Sequence, residues 1–190
     1  MDIWFAWINE NCFEGRATSV RYADDCVYTF QTLAQAEEFH RMLEERLASF
    51  GISLNESKTK AIVSGKNEAE RRSRQGLKMP VFTFLGFLHT WGDSVQRKTG
   101  IKFWRVKLRT SPIRFRKKLA EIKVFIRRNR HDKLLIARVK RIVQGYLNYF
   151  AINDNQKRIQ QFVHEVRKIL FKYLNRRSQK HSFNWERFKE

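Results

Sequence analysis

The chain has 190 residues, of which 42% are hydrophobic and 14% aromatic, including 16 Phe and 5 Trp. This composition excludes a disordered tail and predicts a chain that buries a core of its own. No apolar run approaches the roughly 18–20 residues that a membrane helix needs, so no membrane partner is predicted. The chain starts without a recognisable secretion leader, and the expected location is the cytoplasm.

The formal net charge of +20 is distributed very unevenly along the chain. Residues 1–96 contain 11 Lys and Arg against 13 Asp and Glu, a balance of −2, whereas residues 97–190 contain 28 against 6, a balance of +22. So basic a module repels itself unless a polyanion neutralises it. Nucleic acid is favoured over membrane lipid, because polar Asn and Gln and large aromatics interrupt the basic stretches. The shift predicts two domains, 1–96 and 97–190.

Helices and strands alternate in the predicted first domain. Residues 3–14 indicate the end of a helix, and residues 17–30 indicate two short strands on either side of Asp24 and Asp25. Thr32 and Gln35 form a capping box for a helix that Gly51 ends at its C′ position. The remaining predictions are a turn running into a strand over residues 54–63, a loop over 64–79 and a single strand over Val81–His89.

The second domain is predicted to begin with a strand and to continue as helices. Ile101–Arg109 alternates apolar with basic residues, as in a strand with one positive face. Ser111 and Pro112 then open the first of three amphipathic helices, with Ile113 on its inward side. The second helix runs from about Asp132 to Phe150 and the third from Asp154 to about Arg176. The fold class is therefore α+β: a small antiparallel sheet packed with a helix, followed by an all-α three-helix bundle.

Asp24 and Asp25 are the first candidate for chemistry. Two adjacent carboxylates at a tight turn do not both pack into a core, because each would lose its hydration there. They are either solvated or hold a cation, and Mg²⁺ prefers hard oxygen ligands of this kind. Asp favours turns in any protein, so the pair alone is a weak signal.

Several segments in a fixed order carry a family resemblance. Tyr22-Ala23-Asp24-Asp25, flanked by β-forming residues, resembles the polymerase motif that is lettered C in reverse transcriptases. The stretch from Gly51 to Thr59 resembles the Leu-Asn-x-x-Lys-Thr segment of group II intron and retron-type enzymes, and Phe84-Leu85-Gly86-Phe87 resembles the primer grip that follows. Gly145–Tyr149, and Leu174–Ser178 with Asn184-Trp185, resemble thumb elements of intron maturases. The chain thus resembles the C-terminal part of a group II intron reverse transcriptase/maturase, with half of a palm in 1–96 and a basic helical thumb in 97–190.

This resemblance implies roles for individual residues in RNA-directed DNA synthesis. Asp24 would be the main Mg²⁺ ligand of a two-metal site and Asp25 its less direct neighbour, while Tyr22 and Ala23 would line the primer end and the incoming nucleotide. Lys58 would lie near the triphosphate; the alternative is a solvated lysine on a strand edge. The segment Phe84, Leu85, Gly86 and Phe87 would touch the primer backbone; its alternative is an ordinary buried strand, and both readings can hold together.

The thumb-like half carries the candidate RNA contacts. Like charges crowd the first two of its helices, a pattern that destabilises an isolated helix and that a bound polyanion relieves. The cations are Arg114, Arg116, Lys117, Lys118, Arg127, Arg128, Arg138, Lys140 and Arg141. Asn148 and Tyr149 either reach sugar or base edges or pack between helices. Trp91 and Trp104 either stack on bases or lie in the core.

The resemblance begins in the middle of the palm. The family has a further catalytic aspartate on a separate strand, a Pro-Gln-Gly segment and a fingers region, and Asp2, Glu10 and Glu14 stand on no strand-like segment. The expectation is that the isolated chain binds intron RNA, RNA template and DNA primer, but polymerises only with a complementing N-terminal fragment. The alternatives are a non-enzymatic RNA-binding maturase remnant that assists splicing and, more distantly, a degraded half-palm.

Overall fold

The structure, a computed structural model, describes residues 1–96, 98–175 and 184–189. The chain forms two compact units: unit 1 comprises Met1–Pro80 and Trp91–Arg105, and unit 2 comprises Val81–Thr90 and Val106–Glu190. The mixed α+β class is confirmed. In the part of the chain that the structure describes, no helix is both long and apolar enough to cross a membrane.

The described part of the chain contains helices and short strands in both units. The helices are α1 (Asp2–Asn11), α2 (Leu33–Ala48), α3 (Lys66–Arg74), α4 (Pro112–Arg128), α5 (Leu135–Phe150), α6 (Gln156–Leu174) and α7 (Trp185–Lys189), with a 3-10 turn at Asn153–Asn155. The strands are β1 (Thr18–Tyr22), β2 (Asp25–Thr29), β3 (Val81–Phe84), β4 (Phe87–Val95) and β5 (Lys102–Thr110). β1 and β2 form a two-stranded antiparallel sheet, and β3, β4 and β5 form a second sheet in that order.

Unit 1 is built around the aromatic ring of Phe39 on α2. Its ring centroid lies 4.6 Å from that of Tyr28 on β2, 5.1 Å from that of Phe30 and 5.5 Å from that of Phe5 on α1. Edge and tilted contacts of this kind add to the hydrophobic burial of the rings. They hold the β1–β2 hairpin against both helices.

Both predicted ends of α2 are confirmed. The Thr32 hydroxyl accepts a hydrogen bond from the Gln35 N–H at 3.2 Å, and the Gln35 side chain accepts one from the Thr32 N–H at 3.3 Å. At the other end Gly51 has φ +69°, its N–H donates to Ala48 O, and the Ile52 N–H donates to Leu47 O. This is a Schellman termination, in which glycine supplies the left-handed residue.

Unit 2 packs α4, α5 and α6 around Phe162, whose side chain is fully buried on α6. The ring of Tyr146 stacks on that of Phe162 at 3.7 Å, and the ring of Phe115 lies 5.9 Å away. The three predicted helices are therefore confirmed, although the predicted end of the third at Arg176 lies outside the described residues. The inward prediction for Ile113 is wrong, because this first-turn side chain is 71% exposed and Phe115 enters the core instead.

The loop prediction for residues 64–79 is wrong, because α3 occupies Lys66–Arg74. Glu68 pairs with Arg71 at 2.7 Å and with Arg72 at 2.5 Å, spacings that stabilise helices. Hydrogen bonds from Arg71 and Arg72 lower the pKa of Glu68 to about 2. Ala69 is the one buried residue of α3, so the sequence offers no apolar periodicity that would indicate a helix.

The strand expected at the end of residues 54–63 is also absent. The turn itself forms, since the N–H groups of Lys58 and Thr59 both donate to Asn55 O at 2.9 Å. Residues 59–64 then continue without regular secondary structure. A strand needs a ladder partner, and among the described strands β1 and β2 pair only with each other.

The single strand predicted over Val81–His89 is instead two strands joined by a tight turn. β3 and β4 pair in register from Val81↔Thr90 to Phe84↔Phe87, so Leu85 and Gly86 form a two-residue loop. Both have positive φ, +49° and +80°, as the twist of such a loop requires. The turn is hard to recognise in the sequence, because Leu stands where Asn or Asp is usual.

Candidate catalytic hairpin and nucleic-acid interface

Asp24 and Asp25 lie at the tip of the β1–β2 hairpin. The strands pair from Thr18↔Thr29 to Tyr22↔Asp25, which leaves Ala23 and Asp24 as a two-residue loop. Ala23 has φ +54°, a left-handed conformation that costs an L-residue about 1–2 kcal/mol. Non-glycine residues in this conformation occur in the described ranges only at Ala23 and Leu85, at the tips of the hairpins that carry the polymerase-like and primer-grip-like segments.

The two carboxylates are exposed and unused by the fold. Neither the Asp24 nor the Asp25 carboxylate has a hydrogen bond or an ion pair within the part of the chain that is described. Their oxygens are hard donors of the kind that Mg²⁺ prefers, and a divalent cation shared by the pair stays a prediction. The described residues contain no group of three or more His, Cys, Asp or Glu suited to a metal.

Asp2, an acidic residue that precedes the hairpin in the sequence, forms an ion pair with Arg21. Arg21 Nε donates to Asp2 Oδ1 at 2.8 Å and Arg21 Nη2 to Asp2 Oδ2 at 2.5 Å. These hydrogen bonds lower the pKa of Asp2 and raise the pKa of Arg21. Because both carboxylate oxygens accept from one guanidinium, Asp2 ties the start of α1 to β1 rather than offering a metal ligand. Sequence reasoning missed this partner, whose only signal is an arginine directly before the motif.

One face of the β1–β2 hairpin packs on the core of unit 1, and the other face is open to solvent. Tyr28 packs inward on Phe5 and Phe39, and burial raises its pKa. Tyr22 lies directly across from Asp25 and is 65% exposed. Cross-strand neighbours have their Cβ atoms about 4.5–5.5 Å apart, so Tyr22 is placed beside the carboxylates on the open face.

Lys58 lies in the Asn55–Thr59 turn of unit 1 and its side chain is exposed. In the described part of the chain it forms no ion pair with Asp24 or Asp25. Its proposed position near a triphosphate therefore stays a prediction, as does the alternative of a solvated lysine.

The segment Phe84–Phe87 is fixed to the helices of unit 2. The Ser111 N–H donates to Gly86 O at 2.9 Å, and a Cβ built on Gly86 would lie 3.4 Å from Phe150 Cζ. The positive φ of +80° accounts for glycine at position 86 without a ligand, while the 3.4 Å approach is an ordinary packing contact. Contact of Phe84, Leu85, Gly86 and Phe87 with a primer remains a prediction.

Tyr149 packs against the same turn. Its hydroxyl donates to Leu85 O at 2.8 Å, and its ring stacks on that of Phe87 with centroids 5.6 Å apart. Packing is thus observed for Tyr149, against the hairpin turn, while half of its side chain remains exposed for a ligand. Asn148, its neighbour, is exposed, and its Oδ1 accepts a hydrogen bond from Gln144 Nε2 at 2.8 Å.

The predicted cations of unit 2 lie on the surface, and some have carboxylate partners. Lys118 is half-buried and pairs with Glu121 at 3.2 Å, while Arg138 pairs with Asp132 at 2.9 Å. The others are exposed and have no ion pair within the described residues: Arg114, Arg116, Lys117, Arg127, Arg128, Lys140 and Arg141. Unpaired cations of this density favour an anionic partner.

Trp91 and Trp104, the two candidates for base stacking, are half-buried. The indole N–H of Trp91 donates to Ser64 Oγ at 2.7 Å, which gives this side chain a role inside unit 1. The thumb-like Asn184-Trp185 segment opens α7, where the rings of Trp185 and Phe188 pack on that of Phe171 of α6. Arg176, Arg177 and Ser178 of the preceding segment lie outside the described residues.

Residues 1–89 match a family model described as reverse transcriptase (RNA-dependent DNA polymerase). The match contains both the Asp24–Asp25 hairpin and the Leu85–Gly86 turn, and the resemblance of this region to reverse transcriptases is confirmed. Neither the curated proteins nor the solved structures give a significant match to the chain.

Proposed function

We propose that the chain is the C-terminal portion of a group II intron-encoded RNA-directed DNA polymerase/maturase. It binds intron RNA and, with a complementing palm-and-fingers fragment, extends a DNA primer on an RNA template. The observation that carries this proposal is the Tyr22-Ala23-Asp24-Asp25 hairpin, whose two exposed, unpaired carboxylates lie inside the region that matches reverse transcriptases. The basic helices of unit 2 support the maturase assignment through their charge.

In this function the hairpin holds the metal and the primer end. Asp24 and Asp25 would ligate Mg²⁺, which in two-metal polymerases activates the primer hydroxyl and stabilises the leaving oxygen. Tyr22 would contact the primer end from its position across from Asp25, and Ala23 would line the nucleotide. Lys58 would neutralise charge on the triphosphate. Arg21 acts as a positioning residue, because it ties β1 to Asp2 and so fixes the strand that leads into the loop.

Primer extension on an RNA template with Mg²⁺ tests the polymerase. The chain is assayed with and without an added N-terminal palm-and-fingers fragment from a group II intron enzyme, which supplies the third carboxylate. We expect extension only with the fragment, and its loss in Asp24→Ala. Extension that survives in Asp24→Ala contradicts the assignment of Asp24.

The second candidate function is a non-enzymatic RNA-binding module. The balance of +22 over residues 97–190 favours it independently of the hairpin. Binding through phosphates becomes weaker with salt, and each contact contributes about 0.7–0.9 to the slope of log K against log salt.

Arg141 and Arg41 provide a matched pair of arginines for this test. Arg141 is exposed and unpaired in the described part of α5, whereas Arg41 of α2 is already paired with Glu38 and Glu45. We expect Arg141→Ala to lower the salt slope by about 0.7–0.9 and Arg41→Ala to leave it unchanged. Salt-sensitive RNA binding without any primer extension leaves this second function as the better one. Equal slopes in wild type and both variants contradict binding through α5.

A further inference from the structure

Gly145 stands in the middle of α5, at an exposed position where the fold does not need glycine. Its backbone is helical, and a Cβ added there would meet no atom of the described residues within 4 Å. Glycine inside a helix destabilises it relative to alanine. Among the described residues of unit 2 no close approach to Gly145 offsets this cost, so the open space above it points to an external partner that comes near the helix backbone.

The surroundings of this opening are polar and cationic. Arg138 and Arg141 precede Gly145 by seven and four residues and Asn148 follows it by three, helical spacings that place all three on its face. Gln144 directly precedes Gly145 and lies one helical turn before Asn148; their side chains are joined by the 2.8 Å hydrogen bond from Gln144 Nε2 to Asn148 Oδ1.

The joined amides present a donor and an acceptor at the same place. The hydrogen bond between the two side chains uses one N–H of Gln144 and the carbonyl oxygen of Asn148. The Asn148 NH₂ can still donate a hydrogen bond, and the Gln144 Oε1 can still accept one. If both amides were turned over, Gln144 would be the donor and Asn148 the acceptor, so the pair offers both functions in either arrangement. A hydroxyl group, which donates once and accepts, complements such a pair.

We propose that the Gln144–Asn148 pair binds a ribose 2′-hydroxyl of an RNA strand whose sugar–phosphate backbone crosses α5 at Gly145. The glycine lets the sugar approach, Arg141 binds an adjacent phosphate, and the amides distinguish RNA from DNA through the 2′-hydroxyl. The charge of this face favours a nucleic acid over a peptide. The inference rests on the proposed RNA binding and adds to it a site for the sugar.

The test uses the full chain and one structured RNA hairpin in its natural form and in a 2′-fluoro form. The 2′-fluoro RNA keeps an A-form helix but lacks the hydroxyl donor. Wild type is expected to bind the natural RNA about fivefold to tenfold more tightly, the size of one or two hydrogen bonds. Asn148→Leu and Gln144→Met are expected to bind both RNAs equally, at the affinity of wild type for the 2′-fluoro form. Gln160→Met, at an exposed position of α6, is the control and should keep the wild-type preference.

Gly145→Ala provides a second test, because it should make the fold more stable and RNA binding weaker. Alanine favours the helix and meets no neighbour, so the melting temperature should rise while affinity for the natural RNA falls about fivefold or more. Tighter or unchanged binding by Gly145→Ala overturns the close approach. Equal wild-type affinity for the two RNAs, or a preference that persists in Asn148→Leu and Gln144→Met, overturns the sugar contact while RNA binding stands. Absence of RNA binding by wild type overturns the proposed function together with this inference.

Discussion

The hydroxyl of Tyr149 on α5 donates a hydrogen bond to the carbonyl of Leu85, 64 residues earlier, at 2.8 Å. Leu85 is one of the two non-glycine residues at positive φ in the described ranges, and its loop partner Gly86 accepts a hydrogen bond from Ser111. The turn that resembles a primer grip is therefore held by the α5 helix and by the start of α4. A displacement of α5 within unit 2 would move this turn with it.

Removing the Tyr149 hydroxyl should loosen the turn. Tyr149→Phe keeps the stacking on Phe87 but leaves Leu85 O without this donor, so we expect a loss of about 0.5–1 kcal/mol in the free energy of unfolding. Urea unfolding followed by circular dichroism measures it. Tyr22→Phe is the matched control, because the exposed Tyr22 hydroxyl has no hydrogen bond within the described residues. Equal changes in the two variants would show that the Leu85 contact contributes nothing.

Asn155 is the most connected buried polar residue of unit 2. It is 1% exposed, its Oδ1 accepts from the Thr110 N–H at 2.9 Å, and its Nδ2 donates to Thr110 Oγ1 at 2.6 Å and to Phe150 O at 2.9 Å. Asn155→Ala leaves these groups buried without a partner, and each costs about 1–3 kcal/mol. We expect about 2–4 kcal/mol less stability in urea unfolding. Asn153→Ala, exposed in the same short helix, should change it by less than about 0.5 kcal/mol. A small effect at Asn155 would mean that water replaces its amide.

Features whose determinants lie close together in the chain are the ones that the sequence predicts well. The α2 helix carries its capping box and its terminal glycine within twenty residues of sequence, and the Asp24–Asp25 hairpin carries β-forming residues on both sides. Amphipathic periodicity likewise indicates α4, α5 and α6, since each buries one face in a common core.

Features that depend on distant partners are missed. α3 is stabilised by Glu–Arg pairs and buries only Ala69, so its pattern is typical of a loop. The sequence does not indicate that Asn155 is buried and hydrogen-bonded, because its partner Thr110 is 45 residues away. In the candidate site, the position of Asp24 and Asp25 at a hairpin tip is predictable from sequence. The capture of Asp2 by Arg21 is not, because it depends on how α1 packs on the hairpin.

The phenol of Tyr146 should make the protein sensitive to alkali. Its ring stacks on Phe162, its hydroxyl makes no hydrogen bond of ordinary geometry with a described residue, and burial raises its pKa by more than the Thr110 side chain lowers it. The unfolded chain ionises at an ordinary tyrosine pKa of about 10 while the folded chain stays protonated, so stability falls as the pH rises above about 10. Tyr146→Phe removes this loss.

Urea unfolding of wild type and of Tyr146→Phe at several pH values tests whether Tyr146 lowers stability in alkali. At about pH 7 the free energy of unfolding of the Tyr146→Phe variant should lie within about 1 kcal/mol of that of wild type, since the buried hydroxyl makes no hydrogen bond of ordinary geometry with a described residue. The advantage of the variant should grow between about pH 10 and pH 11. A difference that stays constant over this range would mean that Tyr146 does not titrate differently in the folded and unfolded chains.

Asp24 and Asp2 should respond differently to a divalent cation. Mn²⁺, a paramagnetic substitute for Mg²⁺, should broaden the backbone amide signals of Tyr22–Cys26 in NMR spectra, because the unpaired carboxylates of Asp24 and Asp25 lie at that turn. Asp24→Asn removes a charged ligand and should abolish the broadening. Asp2→Asn should leave it intact, because the Asp2 carboxylate is already bound to Arg21 through both oxygens. Broadening that disappears in Asp2→Asn but persists in Asp24→Asn would assign the cation to Asp2 and overturn the hairpin tip as the metal site.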